Sequence, residues 1–347
     1  MTTRDEPAAS HPTPPDTDAL VAVFMLTSLD HSAPVLAPTF CALLRDAIGA
    51  DWVQVQARGN GRRLWRFTSL GADGARRRLL VDALDALAAE ADGPFVRDLP
   101  PGLASRAGTR VLGAASACGH LHVQCVGSWS DTARLDVALA SVAAAATALC
   151  GRNLGNPPGE GPALELDEGL LLVTADGTPR AWTPRAGAWL NVLRDALPEA
   201  PAASPPEARE QALHLRLRAM VTRSPDSWRS GVDGPPASAR FDTPFGALRL
   251  QGLPLAGVAE LAALPVRLVR ETPLPVVLVE GVANTPLSPR QKQVAWLAAS
   301  GLSYPAISRH LALARATVID YMQGVYAKLS VASHEQLAVH LAARARG

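Results

Sequence analysis

The stretch LSPRQKQVAWLAASGLSYPAISRHLALARATVIDYMQGVYAKL, residues 287–329, decides the fold of the C-terminal part of this chain. Ser288 can cap a helix, Pro289 suits the first helical position, and Gln291 three residues after the serine completes a capping box. The Ser-Gly dipeptide at 300–301 supplies a left-handed residue at which a helix can stop. The stretch therefore predicts a first helix that begins at Pro289 and ends at this dipeptide.

Two further helices follow, and the link between them is very short. The second helix begins at Ser303, and the third spans about Arg315 to Leu329. Because only Ala312-Leu313-Ala314 lies between them, the two helices must cross at a steep angle. This is helix-turn-helix geometry.

The third helix has two chemically different faces. One face, predicted to pack, consists of Val318, Tyr321 or Met322, Val325 and Leu329. The other face, predicted to point outward, consists of Ala316, Ile319, Asp320 and Gln323. A fourth helix runs from His334 to about Ala345. Its narrow apolar stripe of Leu337, Ala338 and Leu341 is more than three small helices can cover, so we predict a dimer seam there.

The pattern as a whole resembles the output domain of LuxR-type (GerE-like) transcription factors, without gaps, over about the last 60 residues. The residues that carry the resemblance are Leu287-Ser288-Pro289-Arg290, Gly301-Leu302-Ser303, Ile307, Leu311, Thr317-Val318, Val325 and Lys328-Leu329-Ser330-Val331. The resemblance implies a compact four-helix domain. It also implies that the third helix enters the major groove of DNA and that the fourth pairs two protomers over a two-fold site.

The outward face of the third helix departs from the family pattern. Where members commonly carry Lys toward the DNA, this chain has Ile319 and Gln323, with Asp320 between them. Asp320 repels phosphate and accepts a hydrogen bond only from an amino edge such as cytosine N4, while Ile319 can contact a thymine methyl group. The usual capping Ser before this helix is Ala314, which costs roughly 0.5–2 kcal/mol. We therefore expect altered base specificity or weak binding.

Charge is distributed unevenly along the chain. Residues 287–347 hold seven basic and two acidic residues, hence +5, which leaves −4 elsewhere in a chain whose net charge is +1. This asymmetry predicts that a polyanionic partner binds the C-terminal part of the chain. The residues predicted to contact DNA are Arg309, Arg315, Ala316, Thr317, Ile319, Asp320, Gln323 and Lys328. The alternative is a sensor or adaptor whose C-terminal helices bind a protein partner, and it predicts association that is insensitive to salt.

Residues 19–150 read as an α+β unit with an antiparallel sheet. A helix is predicted at 37–48, a hairpin at 52–67, a helix at about 75–91, strands at 95–97, 110–117 and 121–129, and a long Ala-rich helix at 132–150. The order of these elements is similar to that of a GAF sensory domain. Residues 1–18 are Pro-rich and predict a disordered tail.

Residues 151–161 are rich in Gly and Pro and predict a linker. Residues 162–283 open with a strand, a turn at Asp176-Gly177, a strand and a helix, which resembles the start of a PAS domain. The segment around 276–279 fits either a last strand or a helical connector into the helix-turn-helix domain, which we assign to residues 284–347.

Enzyme motifs are absent from the sequence, which has no Gly-x-x-x-x-Gly-Lys, Gly-x-Ser-x-Gly or His-Glu-x-x-His. The four cysteines lack close pairs and suggest no disulfide framework. Neither the apolar run 19–26 nor the Ala-rich run 137–150 is long enough for a membrane span. We therefore expect a cytoplasmic, non-enzymatic protein without a cofactor.

The sharpest chemical cluster is Cys118, His120 and His122. In a strand the two imidazoles project from the same face, a spacing that can hold zinc, with Cys118 beside them. The alternative is a turn with two exposed imidazoles and one buried thiol, since two His alone leave a tetrahedral shell half empty.

The sequence as a whole thus predicts a multidomain α+β protein, in which antiparallel-sheet sensory modules precede an all-α helix-turn-helix domain. We expect a homodimeric transcriptional regulator that binds double-stranded DNA and is controlled either by a small-molecule effector or by a conformational signal.

Overall fold

The structure is a computed structural model. It describes residues 17–59, 62–69, 80, 83, 84, 86, 87, 93–99, 103, 109–116, 119–129, 132–150, 163–196, 205–222, 238–253 and 263–345. The predicted tail up to residue 16, most of the predicted helix at 75–91 and the predicted linker at 151–161 lie outside these residues.

The first antiparallel sheet has the strand order β2-β1-β5-β4-β3. Its strands are β1 (Trp52–Gly59), β2 (Arg62–Thr68), β3 (Phe95–Asp98), β4 (Thr109–Ala115) and β5 (Leu121–Ser128). The predicted hairpin at 52–67 is confirmed as β1 and β2, with Val55 opposite Phe67. The alternation of β1 places Val53, Val55 and Ala57 on one face and Trp52, Gln54 and Gln56 on the other.

Helices α2 (Ala33–Ile48) and α3 (Thr132–Cys150) cover the face of Val53 and Val55, and α1 (Thr17–Thr27) packs against these two helices. Helix α2 begins four residues before its predicted start, because Pro38, which looks like a first-turn residue, lies inside the helix. Among the described residues, α3 is long and apolar enough to cross a membrane by length and composition alone. It packs on β4 and β5 with Leu135, Val142 and Leu149 buried, as a core helix does.

The cysteines differ from the sequence expectation. Cys150, at the end of α3, is disulfide-bonded, whereas Cys41 and Cys125 are free and buried. Spacing along the chain did not indicate a disulfide, because cysteines pair by proximity in the fold.

The second antiparallel sheet repeats the strand order of the first, β7-β6-β10-β9-β8. Its strands are β6 (Ala163–Thr174), β7 (Pro179–Trp182), β8 (Ser238–Thr243), β9 (Gly246–Gly252) and β10 (Ala263–Pro273), and its helices are α4 (Pro184–Ala196) and α5 (Pro206–Thr222). The predicted turn at Asp176-Gly177 joins β6 to β7, with Gly177 at φ 88°. In each sheet the last strand along the chain is the central one.

The two sheet units share one hydrophobic core. Phe67 of β2 lies between Trp189 of α4 and Phe245, with ring centroids 5.8 and 5.4 Å away. Arg270 of β10 lies over the Trp189 ring at 5.3 Å and donates a hydrogen bond to the Thr39 hydroxyl of α2 at 3.4 Å.

Five further helices complete the chain: α6 (Leu274–Ala283), α7 (Pro289–Ala299), α8 (Tyr304–Leu311), α9 (Arg315–Leu329) and α10 (His334–Arg344). The segment at 276–279, for which strand and helix remained open, is therefore helical. Helix α6 follows β10 without a loop and packs against α1, α2, α7 and α10. The Thr39 hydroxyl donates to Glu280 Oε2 of α6 at 3.3 Å, so α2, β10 and α6 meet in one buried polar contact.

Candidate nucleic-acid interface

The N-terminus of α7 forms the capping box that the sequence predicts. The Ser288 hydroxyl accepts a hydrogen bond from the Gln291 backbone N–H, and the Gln291 side chain accepts one from the Ser288 N–H at 3.1 Å. Two N–H groups of the first turn are thereby satisfied. This fixes the start of the four-helix unit at Pro289.

The turn between α8 and α9 is tight and contains no glycine. Ala312 adopts the left-handed conformation with φ 52°, and the Ser308 hydroxyl donates to the Leu313 carbonyl. Ala314 precedes α9 in an extended conformation and, having no side-chain oxygen, leaves the helix without a side-chain cap. The predicted three-residue link between two helices is confirmed.

One face of α9 packs into the domain. Val318, Met322, Val325 and Leu329 are buried there, and Ile307 of α8 is buried beside them in the same core. Tyr321 is only half-buried, so Met322 fills the core position for which the sequence left both residues open.

The opposite face of α9 lies at the surface. Arg315, Ala316, Asp320 and Gln323 are exposed, and Thr317 and Ile319 are half-buried. The positions 316, 319, 320 and 323 share one side of the helix by its period. This side carries one carboxylate, one carboxamide and one branched apolar side chain, with the Arg315 guanidinium at its N-terminal end.

Two of the remaining cations predicted to contact DNA are exposed on neighbouring surfaces. Arg309 of α8 lies in the last turn of its helix, where its Nε approaches the Pro305 carbonyl at 3.4 Å. Lys328 donates from Nζ to Gln291 Oε1 at 2.9 Å, which anchors α9 to the start of α7. A neutral carboxamide leaves the lysine charge uncompensated, so Lys328 can still attract phosphate.

Two other cations are used inside the chain, which the charge count alone did not reveal. Lys292 is buried, and its Nζ donates to the Ala283 carbonyl at 3.1 Å. Arg344 donates to the Asn284 carbonyl at 3.0 Å. Both cations therefore sit at the C-terminal end of α6, where the helix dipole favours positive charge. The +5 of this segment overstates the charge available to DNA.

The predicted dimer seam on α10 needs correction. Leu337 and Leu341 are both 0% exposed, because α6 packs against this face of α10. The approach is closest at Gly281, where an added Cβ would lie 2.0 Å from the Leu341 carbonyl oxygen. Ala338 is half-buried. The prediction counted only the three other helices of the domain and did not include α6 as a cover.

The outer face of α10 carries the exposed apolar surface instead. Val339 is 70% exposed, in a shallow depression lined by Val331, Glu335, Gln336 and His340. Arg344 Nε donates to His340 Nε2 at 2.9 Å. Partial burial and the nearby Arg344 charge lower the pKa of His340.

An aromatic cluster that the sequence analysis missed joins α8, α9 and α10. The His334 ring lies 5.3 Å from the Tyr304 ring and 6.4 Å from the Tyr326 ring. Burial and a hydrogen bond with Tyr304 raise the pKa of Tyr326. The helical period of α9 gave no indication of this cluster because its members come from three helices.

The residues of the metal hypothesis lie far along the chain from this interface. His120 is exposed in the bend before β5, whereas His122 is buried in β5. Cys118 lies outside the described residues. Within the described parts of the chain no group of three His, Cys, Asp or Glu side chains could hold a metal ion, so this hypothesis stays a prediction.

Comparison with known proteins gives one specific finding. No curated protein matches the chain. The chain is similar to the sensor region of a sensor histidine kinase at 13% identity, over 73% of this chain and 89% of that one, but the TM-score of 0.17 is too low to indicate a shared fold. Residues 285–341, which span α7, α8, α9 and most of α10, match the family of bacterial regulatory proteins described as the luxR family. The C-terminal helices are thus similar to the LuxR-family DNA-binding domain.

Proposed function

We propose that this protein is a DNA-binding transcriptional regulator whose helix α9 enters the major groove. The observation that carries the proposal is the exposed polar face of α9, at Ala316, Asp320 and Gln323, on a helix-turn-helix whose sequence matches a family of regulators. Arg309 and Arg315 at the ends of α8 and α9 supply the phosphate contacts that position such a helix.

Base recognition follows from the chemistry of that face. Gln323 can make two hydrogen bonds to adenine N6 and N7, Asp320 can accept from cytosine N4, and Ile319 can contact a thymine methyl group. The operator therefore differs from that of relatives that carry Lys at these positions.

Binding as a homodimer supplies the phosphate contacts that one domain lacks, since two-fold operators pair two recognition helices. We assign the dimer contact to the outer face of α10, centred on Val339, because the inner face is filled by α6. A second copy of this chain is the partner that suits this face, because a two-fold symmetric contact brings Val339 of one protomer against Val339 of the other.

The two sheet units act in this proposal as a sensory region. Their contact with the DNA-binding helices runs from α6 to α10 and α7 and from α1 to α7, while the outward side of α9 is exposed. Control therefore acts on the positions of α7 and α10 rather than by covering α9.

The test is selection of genomic fragments by the purified full-length chain, followed by affinity measurements across salt concentrations. Arg309→Ala with Arg315→Ala is expected to weaken binding and to lower the salt slope by about 0.9 for each phosphate that is no longer neutralised. Arg180→Ala, an exposed arginine of β7, is the matched control and leaves both unchanged. Absence of fragment enrichment together with salt-insensitive association to a protein would favour the adaptor alternative.

A further inference from the structure

One buried polar side chain in the first sheet lacks a hydrogen-bond partner among the described residues. Gln56 of β1 is 0% exposed, and neither its Nε2 nor its Oε1 has a hydrogen-bond partner among the described residues. A buried amide that exchanges its water for nothing destabilises the fold, whereas an apolar side chain of similar length would not. The amide of Gln56 therefore leaves one donor group and one acceptor for a partner from outside the chain.

The surroundings of Gln56 are defined by the register of the sheet. On the face opposite α2 and α3, Gln56 lies directly across from Arg66 of β2 and His122 of β5. Residues directly opposite one another in an antiparallel pair have their side chains side by side. Gln56 is thus the middle of a three-residue polar row that runs across β2, β1 and β5.

The next row of the same face is built differently. Gln54 donates to Gln124 Oε1 at 3.2 Å and accepts from the Thr68 hydroxyl at 3.1 Å. Gln124 in turn donates to the Leu84 carbonyl at 2.7 Å. Gln54 and Gln56 lie two residues apart in β1 and are both 0% exposed. Only the Gln54 side chain forms hydrogen bonds within the chain.

His122 adds a second defined group to the row of Gln56. Burial and the nearby Arg58 charge lower its pKa, and a hydrogen bond to the Gly119 backbone acts in the opposite direction. Because this hydrogen bond favours the protonated form of His122, the imidazole N–H must donate it to the Gly119 carbonyl. The other ring nitrogen of the neutral imidazole is then an acceptor. Arg58 and Arg66, the flanking cations, are engaged in interactions of their own.

Between Arg66 and His122, the row therefore offers an amide that donates and accepts, next to an imidazole acceptor. The Gln56 carboxamide can form two hydrogen bonds to one ligand if the ligand holds an N–H donor and a C=O acceptor side by side. A cis amide has this arrangement. We propose that Gln56 and His122 bind a small molecule with a cyclic amide edge, such as a lactam or a pyrimidinedione.

A ligand at Gln56 would be the effector of the proposed regulator, and its chemical class is thereby named. Only its role as an effector rests on the proposed function; the binding itself does not. Binding at Gln56 is measured without DNA. A failure here leaves DNA binding intact, and a failure of DNA binding leaves this site intact.

The first measurement compares thermal unfolding of the full-length chain with Gln56→Met and with Gln54→Met. Gln56→Met is expected to leave the unfolding midpoint unchanged or to raise it by a few degrees, since no internal hydrogen bond is removed. Gln54→Met is expected to lower it, because Gln124 and Thr68 are left without their partner. An equal drop for both variants would show that the Gln56 amide is satisfied within the chain and would overturn the proposal.

The second measurement uses δ-valerolactam as the probe and N-methyl-δ-valerolactam, which lacks the donor, as its matched control. The lactam is expected to raise the unfolding midpoint of the unmodified chain in a saturable manner, while the methylated lactam and the Gln56→Met variant show no shift. Equal shifts with both lactams, or no saturable shift with the first, would refute the site. The comparison of the two lactams needs no variant and so does not depend on how Gln56→Met folds.

Discussion

Helices α9 and α10 are neighbours in the same small domain, yet they face the rest of the chain in opposite ways. The outward face of α9 is polar and exposed, whereas the apolar stripe of α10 at Leu337 and Leu341 is fully covered by α6. The difference shows that the sheet units hold the domain by α10 and α7 and leave the outward face of α9 available.

The composition of α6 explains this arrangement. Its sequence LPVVLVEGVA has one charged residue, and Val276, Val277, Leu278, Val279 and Val282 are all buried. A helix that is apolar on all sides must be covered on all sides. It is covered by α1 and α2 from the sheet side and by α7 and α10 from the domain side.

The most direct way to break the contact between α6 and α10 is Gly281→Val. A side chain at this position would overlap the Leu341 carbonyl, and overpacking of this kind costs about 3 kcal/mol. We expect the C-terminal helices to separate from the sheet units while α9 stays folded. Limited proteolysis should show cleavage between α6 and α7, with DNA affinity retained.

The matched control is Ala283→Val, which adds the same branched side chain two residues later at a half-buried position. It should leave the proteolysis pattern unchanged. Equal sensitivity of the two variants would mean that Gly281 does not set the distance between α6 and α10.

The N-termini of the two helices offer a second comparison. The Ser333 hydroxyl accepts from the Gln336 N–H at 3.2 Å and caps α10, whereas Ala314 leaves α9 uncapped. Ala314→Ser is expected to stabilise the domain by about 1 kcal/mol and Ser333→Ala to destabilise it by about the same amount. Urea unfolding of each variant measures both changes. A cap at Ala314 that gives no gain would show that its N-terminus is satisfied by other means.

Arginines on the two helices should separate stability from DNA binding. Arg344→Ala removes the hydrogen bond to the Asn284 carbonyl and should cost about 0.5–1 kcal/mol of stability at this exposed position. It should leave the salt slope of DNA binding unchanged. Arg315→Ala should do the reverse, lowering the slope by about 0.9 per protomer with little change in unfolding. A lowered slope for Arg344→Ala would place α10 on the DNA backbone.

The smallest expected effect is a pH dependence centred on α10. His340 accepts a hydrogen bond from Arg344 in its neutral form, and its pKa in the folded chain is lowered. The unfolded chain therefore takes up the proton first as the pH falls below about 6.5, so this contribution is present above that pH and is lost below it. The unfolding midpoint of the unmodified chain should fall slightly relative to His340→Gln between pH 7.5 and 5.5. Parallel pH profiles would contradict the assignment.

The sequence was a good guide where local chemistry decides structure. The capping box at Ser288, the short turn at Ala312 and the alternation of Trp52 to Gln56 each predicted an element that the structure confirms. The inward face of α9 was predicted as well, because the helical period depends only on residues within one helix.

Prediction from the sequence failed where the structure depends on contacts between segments that are far apart in the chain. The β-branched residues of α6 suit a strand as well as a helix, and only burial on all sides decides between them. Leu337 and Leu341 were assigned to a dimer seam because α6 was not known to cover them. Lys292 and Arg344 counted as DNA-binding charge until their carbonyl partners were seen.

The shared strand order of the two sheets has a consequence for how the chain folds as it is made. In the second sheet β10 pairs with β6 on one side and with β9 on the other. The hairpin of β6 with β7 and that of β8 with β9 therefore leave the ribosome before the strand that joins them. Because α6 follows β10 without a loop, α6 leaves the ribosome directly after the strand that completes this sheet. The helix that holds the DNA-binding domain therefore becomes available at the same stage of synthesis as the finished sheet.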